Sequence, residues 1–249
     1  MRIGMIAAQA MLVSIGLCAW AGQGVAQEPR VEVAPGVTVT RKIFPVPGNE
    51  APFFGFADKS AAQKAADEAF VTGALQRVPD RSMAARMATS AGWQALIAGG
   101  DFATAGKRFN QAYLLDPRES GIYHGFAAVA ASRLKDFDFA DELFRVAARM
   151  NNPAKTLSAD HGRVLLMASR PAQAKPLLEK AISDNPDWAV PRANLAWASL
   201  QLGDAKGACR LAGEAVGRDA ASIAGDMEAL RRQARCSSTA ATLPGTGKV

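Results

Sequence analysis

Apolar residues of this chain recur at helical steps from residue 60 to residue 235, and the stretch before residue 60 follows a different pattern. Ser60 and Gln63 form a capping box, and Ala62, Ala65, Ala66, Ala69, Phe70 and Ala74 follow on one face, which predicts a helix. Pro79 ends that helix and Asp80 is placed to cap the next. In 27–59, Val-Glu-Val and Val-Thr-Val-Thr flank Ala34-Pro35-Gly36 and predict a small hairpin. Phe44-Pro45-Val46-Pro47-Gly48 then reads as an extended arm with Phe53, Phe54 and Phe56 as anchors. A lone hairpin is barely stable, so the arm either docks on the helices or is mobile.

Both ends of the chain read differently again. Arg2 precedes an apolar run from Ile3 to Trp20, and Gly24-Val25-Ala26 places small residues at the −3 and −1 positions of a cut before Gln27. A secretory signal over 1–26, cleaved after Ala26, is the expectation. Cys18 follows Leu17 rather than a small residue, so lipid attachment there is not expected. Residues 237–249 are small, polar and contain Gly and Pro, and disorder is expected.

The helical part repeats. Ala105, Ala140, Ala174 and Ala208 are spaced 35, 34 and 34, as are Ala112, Ala147, Ala181 and Ala215. Phe109, Phe144, Leu178 and Ala212 keep the same step. Turn residues recur at Gly100-Asp101, Lys135-Asp136, Ser169-Arg170 and Gly203-Asp204, and Pro117, Pro153 and Pro186 break the chain between units. Each unit is a pair of antiparallel helices. Two alanines let neighbours approach, a larger side chain between them fills the groove, and no single pair buries its apolar face alone.

This pattern resembles the tetratricopeptide repeat (TPR) family over about half of the chain, in units at 86–119, 121–154, 155–188 and 189–222. The family's small residue in the first helix is Ala128, Gly162 and Ala196, while the first unit departs there with Trp93. The resemblance implies an all-α fold: a right-handed α-solenoid of about four antiparallel helix pairs, preceded by the extended or β-like arm. Capping helices close both ends, one at 60–77 with a linker to 85 and one at 223–236. The latter sets Ile223, Met227, Leu230 and Ala234 on one face against Asp226, Glu228, Arg231, Arg232 and Arg235.

The resemblance also implies a concave groove lined by the first helices: Gln94 from the first unit, Phe126, Val129 and Arg133 from the second, Asp160 and Arg163 from the third, Asn194 and Trp197 from the fourth. Arg133, Arg163 and Asn194 are the residues of carboxylate-clamp type in this set, too few for such a clamp. A mixed groove with one aromatic anchor suits an extended or helical peptide. Trp197 is either that anchor or a ring packed inside the stack.

Composition narrows the function. At 49% apolar, 21% charged and 7% aromatic residues, the chain is neither wholly disordered nor a polytopic membrane protein. The net charge is +6, or 6 − 1 = +5 without Arg2, which bears on solubility and does not point to nucleic acid. Two histidines and three cysteines leave little for metal clusters. No nucleophile elbow, phosphate-binding loop or zinc-protease motif is present. His124 and His161 fall in interior positions of first helices, and a metal there needs a third ligand.

The reading is therefore a periplasmic, non-enzymatic scaffold without cofactor. It binds a protein or peptide partner and supports assembly of a cell-envelope complex of secretion, pilus or wall type. The alternative is a periplasmic enzyme or metal-binding protein using His124 and His161, and self-association through the solenoid ends or the arm is a further possibility. Cys209 and Cys236 remain after cleavage and pair in an oxidising space, provided the last helix ends early. In an antiparallel pair the axial gap between them is about six residues, roughly 9 Å.

Overall fold

The computed structural model describes residues 29–237. The expected signal segment, its cut after Ala26, Cys18 and the tail from 238 lie outside the described residues. The hairpin forms as β1 (Arg30–Ala34) and β2 (Val37–Thr40), antiparallel with Arg30 opposite Thr40 and Val31 opposite Val39. Gly36 takes φ 76° in the turn, a conformation that costs glycine nothing. Two short 3₁₀ turns follow, Gly48–Glu50 and Pro52–Phe56.

Ten α-helices follow among the described residues, joined by turns. They are α1 (Ala61–Arg77), α2 (Arg81–Gly99), α3 (Phe102–Leu115), α4 (Ser120–Val129), α5 (Phe137–Arg149), α6 (Leu157–Met167), α7 (Pro171–Asp184), α8 (Ala189–Gln201), α9 (Ala205–Val216) and α10 (Ala220–Gln233). Pairs α2/α3, α4/α5, α6/α7 and α8/α9 stack in chain order as the expected α-solenoid. The first pair starts at Arg81, five residues before the expected boundary, because Asp80 caps it through the Met83 amide. Asp101, Asp136, Asp204 and Asp219 cap α3, α5, α9 and α10 in the same way.

The repeated alanines do what their spacing predicts. Ala105, Ala140, Ala174, Ala208, Ala112, Ala147, Ala181 and Ala215 are all buried, with Phe109, Phe144, Leu178 and Ala212 between them. The core divides into three clusters, two of them large. One runs from the arm to α6 and includes Phe109, Phe126, Phe144 and Val164. The other runs from α6 to α10 and includes Leu165, Leu178, Ala196 and Met227. Helix α1 lays Phe70, Val71, Ala74 and Leu75, with its C-cap Val78, over Ala84, Ala85 and Leu115, and none of the helix's own residues is fully buried.

The arm docks. Phe53 inserts among Tyr113, Tyr123, Phe126 and Phe56, with ring centroids 4.8–5.8 Å apart. Buried Asn110 of α3 donates to the carbonyls of Asn49 and Ala51 and accepts from the Phe54 amide. Glu142 of α5 pairs with Arg30 at 2.9 Å and accepts from the Thr40 amide. Phe53, Phe54 and Phe56 all have φ between 53° and 57°, in the left-handed region that disfavours side chains by roughly 1–2 kcal/mol per residue.

Candidate binding face

The open face of the stack is set by the register of the first helices, and that register is best read from their close contacts. A Cβ on Gly162 of α6 would lie 2.6 Å from Leu178 of α7, and one on Gly92 of α2 2.5 Å from Phe109 of α3. Gly92 and Gly162 are thus the small residues on which each second helix rests. Their counterparts in α4 and α8 are Ala127 and Ala196, giving steps of 35, 35 and 34. Each pair turns through a left-handed residue, Gly100, Lys135, Ser169 and Gly203, a common device for ending a helix. From small residue to turn is eight residues in the first two pairs and seven in the last two. In the second pair the extra residue is taken up by a π turn at Ala130–Leu134, which is how helices absorb insertions.

One residue on from each small position lies the solvent side: Trp93, Ala128, Arg163 and Trp197. Arg163 is exposed and forms no ion pair among the described residues. Trp197 is half-buried, packed on the core formed by α6 to α10, and its indole Nε1 donates to Asp226 of α10 at 3.0 Å. Asp160 and Asn194 sit a turn earlier on the same face, both half-buried.

The expected groove residues of the first two pairs are displaced by the extra residue. Phe126 and Val129 are completely buried. Phe126 points away from the open face, toward Phe53 and Phe109. Arg133 lies two turns from Phe126 on the same line of the helix, and its Nη2 donates to Glu50 of the arm at 2.5 Å. Gln94 is exposed, one residue past the position that Trp93 takes. Trp93 was missed because alignment on Ala105 of the second helix carried the wrong count back across the turn. Counting from Gly92 finds it.

Arg133 belongs instead to the arm's seat. Glu50 also pairs with Lys107 at 3.2 Å, and hydrogen bonds from Arg133 and Lys107 hold its carboxyl below the ordinary glutamate range.

The two histidines lie inside the stack. His124 Nε2 is 3.1 Å from Asp160 Oδ2, and Trp93 stands edge-on to its ring at 4.6 Å. His161 Nε2 is 2.7 Å from Asp141 Oδ1, and its ring stacks on Phe144 with 9° between planes. Burial lowers the His161 pKa against the opposing pull of Asp141. Among the described residues no group of three or more His, Cys, Asp or Glu side chains is arranged to hold a metal. The rings serve as joints between pairs: His124 links α2, α4 and α6, and His161 links α6 to α5.

Cys209 of α9 and Cys236 are joined by a disulfide with Cα atoms 5.6 Å apart. The axial gap is closed because α10 stops at Gln233. Arg235 then turns at φ 53° and the Cys236 amide folds back to Arg231 O at 3.0 Å.

No family model matches the chain, and no curated protein matches it in sequence. Solved structures do. Cut9–Hcn1, a heterotetramer of the APC/C, superposes with TM-score 0.53 at 15% identity, over 70% of this chain and 34% of that one. MamA (residue 41 to the end) from Desulfovibrio magneticus RS-1 gives 0.47 at 16%, over 60% and 90%. YrrB, described as a TPR protein with an unusual peptide-binding site, gives 0.47 at 17%, over 66% and 90%. The repeat geometry and the likeness to Cut9–Hcn1 identify the chain as a protein of tetratricopeptide-repeat fold. No described helix is long and apolar enough to cross a membrane.

Proposed function

We propose that this protein is a non-enzymatic scaffold that holds a protein or peptide partner on the open face of its first helices. The observation that carries this reading is the pair Arg163 and Trp197, at equivalent positions on neighbouring first helices, one a free guanidinium and one a half-buried aromatic. Arginine and tryptophan are the side chains that dominate binding energy at interface centres. Asp160 and Asn194 beside them add polar groups that fix the register of an extended or helical ligand.

The compartment is part of the same proposal. The chain is exported to the periplasm with cleavage after Ala26, and its partner belongs to an envelope complex of the secretion, pilus or wall type. The bridge between Cys209 and Cys236 supports this placement, since structural disulfides persist in oxidising spaces. A photo-crosslinking residue at position 163 in the exported protein, followed by mass spectrometry, tests both halves. One envelope partner is expected, captured by a chain whose intact mass begins at Gln27, and Arg163→Glu is expected to weaken that partner's binding roughly thirtyfold, equivalent to about 2 kcal/mol. Unchanged affinity removes the open face as the site. A mass retaining residues 1–26 removes the export.

A further inference from the structure

The free end of the stack carries a second surface with a different chemistry. Helix α10 packs on α9 and α8 as a further first helix, and among the described residues no second helix covers it. The result is an open cleft of about 1230 Å³ between α9 and α10. A helix about 10 Å across and ten residues long fills roughly 1200 Å³, so the cleft matches about three turns of helix. Gly213 on α9 and Gly217 at its C-cap keep its wall low, and Cys209–Cys236 closes one end.

Its charge is one-sided. Five cations line it, Lys206, Arg210, Arg231, Arg232 and Arg235, against Glu214 and Glu228, a balance of 5 − 2 = +3. Both carboxylates are already engaged one turn along their own helices, Glu214 by Arg210 at 2.5 Å and Glu228 by Arg232. Lys206, Arg231 and Arg235 form no ion pair among the described residues. Arg231 and Arg235 stand four residues apart, with half-buried Ala234 and Val216 supplying apolar contact between the two helices. A row of cations beside an apolar strip matches a helix with carboxylates on one edge and small apolar residues on its face.

We propose that the α9/α10 cleft docks an acidic amphipathic helix of a partner protein, at a site separate from the open face. A second copy is a poor occupant. The chain carries a net +6, and its other end helix, α1, has two acids and two bases, with Asp67 already held by Lys59. The sequence from 238 to 249 contains no Asp or Glu. The apolar strip of Ala234 and Val216 finds no counterpart on a polyphosphate backbone and favours a protein ligand.

The test is fluorescence anisotropy with the oxidised protein and a fluorescein-labelled amphipathic peptide of about four helical turns, Glu along one edge and Ala and Leu on the face. Saturable micromolar binding is expected. It should weaken about tenfold or more in Arg231→Glu/Arg235→Glu, and also in Lys206→Glu on the other wall should the double variant fail to fold. Arg163→Glu should leave it unchanged, which separates this site from the open face. Absence of saturable binding overturns the proposal. So does equal affinity in the charge-reversed proteins, equal binding of the same peptide with Gln for Glu, or displacement of the peptide by duplex DNA at lower concentration than by unlabelled peptide.

Discussion

Gly106 of α3 is the place where the arm can be released without touching the stack. A Cβ there would lie 2.2 Å from the Glu50 carbonyl oxygen and 2.9 Å from its carbon. Carbon–oxygen contacts of this type sit at about 3.3–3.6 Å, so Gly106→Ala forces the Glu50 backbone to withdraw by about 1 Å. That displacement is felt one turn along α3, where Asn110 makes three hydrogen bonds to the same stretch at 2.7–3.0 Å. Each contributes about 1 kcal/mol, and undocking Phe53 forfeits about 2 kcal/mol of ring burial. Against this, alanine in place of glycine inside a helix gains about 1 kcal/mol. The contact losses win, and the arm's left-handed turn has no reason to persist once Phe53 leaves its pocket. Hydrogen exchange at the Phe54 amide is the direct readout. A net loss of about 4 kcal/mol speeds it roughly a thousandfold, while amides of α6 to α9 stay unchanged. Trypsin should then cut after Arg41 and Lys42. Undiminished Phe54 protection with a raised melting temperature would refute the reasoning, because the substitution would then have acted through helix propensity alone.

Reduction of Cys209–Cys236, which spans 27 residues, should cost about 3 kcal/mol, seen as a lower melting temperature in reductant and no change for Cys209→Ser/Cys236→Ser. Burial lowers the His161 pKa in the folded state, so the unfolded chain binds the extra proton and stability falls as pH drops below about 6.5. Melting curves between pH 8 and 5 should show this decline, and His161→Gln should flatten it. The lowered carboxyls of Glu50, Asp101 and Asp219 act in a separate window, losing their contribution only below about pH 4.5. Trp197→Ala should cost about 2 kcal/mol of stability in denaturant unfolding, roughly half the fully buried range, while Arg163→Glu leaves the unfolding free energy within about 0.5 kcal/mol of wild type.

The sequence was most informative where one physical requirement repeats. Ala105, Ala140, Ala174 and Ala208 announce close helix contact each time, so the second helices and their spacing are legible without coordinates. The first helices are less so. Their faces depend on how many residues the intervening turn holds, and a single extra residue in the first two turns rotates a helix position by 100°. That is why Phe126 and Val129 read as groove and are core, and why Trp93 reads as a departure and is the counterpart of Trp197. The arm's seat was illegible for a different reason. Asn110, Gly106 and Glu142 sit on helices whose pattern is satisfied by the stack alone, and nothing local marks them as receptors for residues more than fifty positions away. The disulfide lay between these cases: its partners were countable, but the early end of α10 that lets them meet was not.

The division of the core at α6 has a mechanical consequence. Val164 belongs to the interior on one side and Leu165 to that on the other, so a single helix of 11 residues is the shared wall of two cooperative blocks. The leading block is clasped by the arm and the trailing block by the disulfide, and neither fastening crosses the wall. Repeat stacks lose cooperativity where the coupling between neighbours is weakest, and the break between the two clusters falls within α6, where His161 and Arg170 bridge it to α5. Arg163 stands at that joint, with Trp93 on one side and Trp197 on the other. A ligand lying across all three would splint the two blocks together, and its affinity would report on the stiffness of the joint as well as on the contacts it makes.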